Sequence, residues 1–137
     1  LISQMQLHWV RTSMKLHRFV AFLGLSLLLA CTDQSPSGPG ILTATLKSPN
    51  GAEGAALVVL MGSGIGEATP LGNNELYTNS NLDELRIVLI NQAGGELEFR
   101  VEVADTTIKP TATVEEVAGT DNELRLALGG YQLEFRR

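Results

Sequence analysis

Leu97-Glu98-Phe99-Arg100-Val101-Glu102-Val103 alternates apolar and charged residues without a break. A period of two belongs to a β-strand, whose successive side chains point to opposite faces, so this segment predicts a strand with one core face and one wet face. The same rhythm recurs on either side. Tyr131, Leu133 and Phe135 alternate with Gln132, Glu134 and Arg136, and Leu42, Ala44 and Leu46 alternate with Thr43, Thr45 and Lys47. Phe99, Tyr131 and Phe135 fall on the apolar parity and are expected in the core. Ala55–Met61 and Leu85–Ile90 are nearly continuous apolar runs, which suit central strands covered more fully than the others. A short buried helix is the alternative for 55–61, but adjacent valines and flanking glycines favour a strand. Further strands are expected at Ile65–Pro70, Glu75–Asn79, Thr111–Val117 and Leu124–Leu128. Val114 and Val117 lie on opposite parities, which predicts a bulge or kink between them.

Turn chemistry separates these runs: Ser48-Pro49-Asn50-Gly51, Gly72-Asn73-Asn74, Asn91-Gln92-Ala93-Gly94-Gly95, Gly119-Thr120-Asp121-Asn122 and Gly129-Gly130. Seven to nine short strands with no amphipathic helix predict an all-β, antiparallel immunoglobulin-like β-sandwich, with a distorted barrel as the alternative. It occupies one domain, residues 41–137, preceded by a signal-peptide helix.

Charge marks where that domain begins. Residues 1–30 hold Arg11, Lys15 and Arg18 and no acid, whereas residues 31–137 hold seven basic and fifteen acidic residues, a net of −8. A change of sign of this kind separates a targeting segment from a mature protein, and the acidic remainder disfavours nucleic acid as a partner. From Met14 the chain reads MKLHRFVAFLGLSLLLAC. Lys15 and Arg18 form a basic flank to the apolar run Phe19–Ala30, which is too short to span a bilayer and suits a signal peptide. Met14 is the better start and Met5 the other candidate. The Thr32–Gly40 stretch, rich in Ser, Pro and Gly, reads as a flexible linker, so residues 31–40 join lipid to domain.

Leu28-Leu29-Ala30-Cys31 resembles the lipobox of bacterial lipoproteins. The resemblance implies that a peptidase cuts between Ala30 and Cys31, that the Cys31 thiol carries diacylglycerol, and that the new amine can be acylated. Two or more acyl chains anchor stably without any transmembrane helix. Thr32 stands where an Asp would resemble an inner-membrane retention signal, which points to the outer membrane of the cell envelope. The order of strands and turns, from GAEGAALVVLMG through GIGEATP, LRIVLI and GGELEFRVEVAD to TATVEEVAGTDNELRLALGGYQLEFRR, resembles cohesin-type sandwiches and the carbohydrate-binding modules related to them. This likeness of rhythm carries over no binding residues.

Both histidines, His8 and His17, and Trp9 precede Cys31. A mature domain with no His, whose one Cys is acylated, has no Ser-His-Asp or Cys-His nucleophile and no His/Cys zinc site. No enzyme is expected, and no catalytic residue is assigned. Gly62-Ser63-Gly64-Ile65-Gly66 lacks the Lys and the following helix of a phosphate loop and reads as a turn. The carboxylate pairs Asp83-Glu84, Glu115-Glu116 and Asp121/Glu123 read as solvated turn and edge charges. Asp105, Asp121, Asn122 and Glu123 supply the hard oxygens of a minor calcium possibility, though without the spacing of a known loop. Tyr77, beside Asn73 and Asn74, is the one mature aromatic placed for ligand contact. The preferred functional expectation is a membrane-anchored, non-catalytic binding or adhesion module for a protein or glycan. The alternative is a structural envelope lipoprotein packed into a larger assembly through the 55–61 and 85–90 runs.

Overall fold

A computed structural model describes residues 37–137; Cys31, Ala30 and the expected signal-peptide helix lie outside the described residues. Eight strands are present among those residues: β1 (Gly40–Lys47), β2 (Glu53–Met61), β3 (Ile65–Pro70), β4 (Glu75–Asn81), β5 (Glu84–Gly95), β6 (Glu98–Val103), β7 (Thr111–Ala118) and β8 (Gln132–Arg136). They form two antiparallel four-stranded sheets, ordered β3-β6-β1-β8 and β4-β5-β2-β7. No ladder joins the sheets, so the fold is a sandwich and not a closed barrel. Only β4 and β5 form a hairpin; every other connection carries the chain from one sheet to the other.

The core lies between the sheets, where the alternation expected from sequence puts Leu42, Phe99, Val101 and Phe135 of the first against Val58, Leu60, Ile87, Leu89 and Val117 of the second. Ala44 faces Phe99 on one neighbour and Phe135 on the other. A small residue between two rings lets both pack at core density. All three are buried, as is Tyr131.

The two ends of the sandwich follow from the register. At one end, Gly40 pairs with Val103, which also pairs with Ile65, and Met61 pairs with Glu84 and Thr111. This is the linker end, where the chain enters from Gly38. At the far end lie Lys47, Glu53, Gly95 and Ala118.

The bulge expected in β7 is present. Leu57 pairs with Glu116 but Val58 with Val114, so Glu115 is the extra residue. The strand expected at Leu124–Leu128 does not form; a single bridge from Leu124 to Ala118 is all that pairs there. Leu124 and Leu126 point outward, 61% and 103% exposed, while Arg125 turns inward to a buried carboxylate at Glu53, described below. The apolar runs in β2 and β5 do occupy the central positions of their sheet; the outer face is buried at Val59 but partly open elsewhere. Val88 is 37% exposed and Met61 42% exposed.

Candidate functional site

The solvent faces of the two sheets differ in kind. On the first, Thr45 is fully buried beneath charged neighbours. Its hydroxyl donates to Glu98 Oε1 at 3.0 Å and accepts from Arg136 Nη2 at 3.3 Å. Lys47 Nζ stands 3.4 Å from Glu134 and 3.7 Å from Glu96. Half-exposed pairs of this sort contribute at most about 1 kcal/mol each, but they leave this face polar and internally satisfied.

The second sheet presents an apolar row instead. Tyr77 of β4 pairs with Val88 of β5, and Val88 pairs in turn with Leu57 of β2. Cross-strand partners share a face, so the three side chains form one continuous strip. The neighbouring pair Ile90 and Ala55 extends it towards the far end. Tyr77 is 59% exposed, and its hydroxyl donates to Glu75 Oε2 at 3.1 Å. That hydrogen bond and the Glu75 charge push the phenol above its ordinary pKa, so it stays protonated at neutral pH. Tyr77, Val88 and Leu57 join Asn79 and Arg86 around a shallow depression of about 480 Å³. Arg86 is held there by Glu115, the bulge residue, at 2.5 Å and by Glu84 at 3.4 Å. The bulge thus puts a carboxylate where it fixes the one cation of the face. An aromatic ring, two aliphatic side chains and a rim of amide and charged groups suit recognition of another surface. They offer no nucleophile and base in register.

The residues weighed as a calcium site do not converge. Asp105 follows β6 at the linker end, whereas Asp121, Asn122 and Glu123 follow β7, which runs the length of the sandwich to the far end. The Asp105 and Asp121 carboxylates are occupied locally. Asp105 Oδ1 accepts from Thr107 N at 2.8 Å, Thr107 Oγ1 at 2.7 Å and Gly38 N at 3.3 Å. Those bonds, the backbone one from Thr107 foremost, hold Asp105 below the usual carboxylate range. Asp121 Oδ1 accepts from Glu123 N at 3.2 Å, and Asn122 takes a left-handed φ of 65° in the turn. Among the described residues no three His, Cys, Asp or Glu side chains group as metal ligands. Of Gly62–Gly66, the first three residues form the β2–β3 turn, where Gly64 has φ +76° and a Cβ would fall 2.5 Å from that of Ala104, and Ile65 and Gly66 open β3.

One cluster was not foreseen from sequence. Glu53, 1% exposed, opens β2 at the far end. Its Oε1 accepts from Tyr131 Oη at 2.5 Å and Ser48 Oγ at 2.8 Å; its Oε2 accepts from Arg125 Nε at 3.1 Å and Nη2 at 3.0 Å. Asn50 Nδ2 donates to Tyr131 Oη at 2.6 Å. Burial pushes the Glu53 carboxyl up, but the donors from Tyr131, Arg125 and Ser48 and the Arg125 charge outweigh it and hold the group below its ordinary value. An ionised carboxylate with every near partner a donor has no proton to give and little basicity. It clasps the β1–β2 and β7–β8 connections together. The signal available in sequence was an acid, Glu53, heading an apolar run, with a lone base, Arg125, between two leucines.

The fold and its open face define a small antiparallel β-sandwich built to present one apolar sheet surface. Comparison of the chain with protein-family models, with curated proteins and with solved structures finds no match.

Proposed function

We propose that this protein is a bacterial lipoprotein whose cohesin-like sandwich is a non-catalytic binding module displayed at the cell envelope. The observation that carries the binding half is the Tyr77–Val88–Leu57 row on the open face of the second sheet. Isolated exposed apolar residues need no explanation, but a contiguous strip on a central strand pair, rimmed by Asn79 and a fixed Arg86, is what an interface core needs. Its occupant is a protein surface. Sugar rings stack on several aromatic faces, and this strip supplies one ring beside two aliphatic side chains. The anchoring half rests on Leu28-Leu29-Ala30-Cys31 and on the basic, then apolar, then polar order of the chain before residue 41.

Both halves are tested in a bacterial host with the full chain. Cys31→Ser abolishes palmitate labelling; persistent labelling refutes the anchor. Wild-type protein recovered from solubilised envelope retains a protein partner that Tyr77→Ala/Val88→Asp loses, with circular dichroism and a melting curve checking that the double variant remains folded. Retention by the double variant refutes the face. A stoichiometric membrane complex identifies the partner as an envelope assembly, and glycan capture in place of protein overturns the choice of occupant.

A further inference from the structure

The connection that bears the linker is fixed to one end of the sandwich. Gly38 N donates to Asp105 Oδ1 at 3.3 Å, and Thr106 N donates to Gly38 O at 2.9 Å. Arg137 Nε donates to Thr106 O at 3.0 Å, so the C-terminus closes over the same loop. Six residues lie between Cys31 and Gly38, a leash of at most about 25 Å however the chain runs. The strands it leads into are themselves long: the eight residues of β1 span roughly 26 Å. A lipid on Cys31 therefore holds the linker end within about 25 Å of the bilayer.

That same end carries three exposed apolar side chains. Leu82, at the tip of the β4–β5 hairpin, is 102% exposed and held at φ 27°, a left-handed conformation unfavourable for a side chain of its kind. Ile108, in the β6–β7 loop, is 68% exposed, and Met61, at the end of β2, is 42% exposed. They adjoin one another. Gly62 N donates to Asp83 O at 3.2 Å, tying the Leu82 hairpin to Met61, and Met61 and Ile108 line one recess of about 300 Å³ with Lys109. Charge does not choose this end, because Asp83, Glu84 and Asp105 offset Lys109 and Arg137. Leu124 and Leu126 are as exposed at the far end, so what distinguishes this end is that its apolar loop tips stand beside the leash.

We infer that the linker end is a bilayer-docking surface, on which Leu82, Ile108 and Met61 enter the interfacial region and hold the sandwich upright, with its open sheet face across the membrane normal. This inference rests on the lipoprotein reading, since without a lipid at Cys31 nothing brings this end to a membrane. Loop-tip aliphatics seated among headgroups add to an acyl anchor by removing apolar surface from water. An orientation fixed in this way presents Tyr77, Val88 and Leu57 sideways, to a partner standing in the same membrane.

Introduced tryptophans test it. Cleavage before Cys31 removes Trp9, so a single Trp placed in the mature chain reports alone. Leu82→Trp, Ile108→Trp and, at the far end, Leu126→Trp are each made in the full chain, purified as the processed, palmitate-labelled protein and reconstituted into phosphatidylcholine vesicles. Acyl-chain-brominated phosphatidylcholine then reads depth. The expected result is a blue shift and loss of emission at 82 and 108, and unchanged emission at 126. Palmitate labelling with no quenching at 82 and 108, or with equal quenching at 126, overturns the docking surface and leaves the anchor standing. Failure of labelling overturns both. All three positions are exposed, so a fold defect does not confuse the outcome, and circular dichroism of each variant checks it.

Discussion

Arg125→Met removes a guanidinium and keeps most of the stem, which isolates the question of what the cation does for Glu53. Glu53 is 1% exposed and Arg125 brings it two hydrogen bonds, at 3.1 and 3.0 Å. Removing one partner of a buried ion pair costs about 3–5 kcal/mol because the other charge stays buried without compensation. Arg125 is itself 30% exposed, so water can reach the vacated position, and Tyr131 and Ser48 continue to donate. The low end applies, about 3 kcal/mol. A domain of this size has about 5–15 kcal/mol of stability in total, so the variant still folds. With a urea m-value of about 1 kcal/mol/M its midpoint falls by about 3 M at unchanged m. The pH dependence carries a sign. In the wild type the folded pKa of Glu53 lies below its ordinary value of 4.5, so its contribution is complete above 4.5 and is lost as pH falls through the folded pKa. In the variant the largest influence on the group, burial, is opposed by fewer donors, and the folded pKa rises. Protonation then relieves the variant at a pH where the wild type is still ionised. The stability gap between the two proteins is therefore widest near neutral pH and narrows on acidification. Urea titrations at a series of pH values measure it. A gap under about 1 kcal/mol at neutral pH, the value of a surface pair, or a gap that does not change with pH, refutes the claim that Arg125 neutralises a buried charge.

Two further substitutions examine the same end of the sandwich. Tyr131→Phe deletes the donor to Glu53 Oε1 and the acceptor for Asn50 Nδ2 without changing the buried ring. The expected loss is about 1.5–3 kcal/mol in urea denaturation, the value of a hydrogen bond to a charged group. Gly54→Ala places a Cβ 2.6 Å from the Gly119 carbonyl oxygen, a backbone atom that cannot swing aside. It destabilises by about 1–3 kcal/mol through the strain of overpacking, read as a fall in Tm, whereas Gly72→Ala at an open turn with φ +60° tests backbone strain without a clash.

How much of this was legible depended on which faces a residue had to satisfy. Where one face was core and the other water, as in Leu97–Val103, alternation placed every side chain, because a one-residue slip would bury each charge. The bulge at Glu115 was readable for the same reason: Val114 and Val117 both needed the core, and only an inserted residue reconciles their parity. Leu124–Leu128 does not form the expected strand, because Arg125 in its middle is drawn inward to Glu53. Leu124 and Leu126 stay at the surface while Arg125 reaches the Glu53 carboxylate, which without its cation would cost about 3 kcal/mol. A contact 72 residues away in sequence decided the polarity of that segment, and no local pattern encodes it. The crossings between sheets were hidden as well, since a short turn looks the same whether it returns the chain to its own sheet or to the facing one.

The open face was half legible, and Arg86 shows why. Continuous apolar runs at 55–61 and 85–90 suggest strands covered on both sides, and the central positions of β2 and β5 agree with that. Yet Arg86 sits inside the second run, on the parity of Val88 and Ile90. A guanidinium cannot enter the core without a partner, so the face it occupies must meet solvent, and Val88 and Ile90 must meet solvent with it. Register then carries the same face to Tyr77 on one side and Leu57 on the other. Tyr77 could be singled out from its polar surroundings alone. The two aliphatic residues that turn it from an isolated ring into a strip required the charged residue in their midst to be read as a constraint on its neighbours. On a face selected only for solubility, a central strand pair would carry Thr, Lys, Arg or Glu at those positions, as β1 and β6 do on the other sheet at every outward position but Ile41. That Leu57, Val88 and Ile90 stand there instead is the reason to look for a partner on this side of the sandwich.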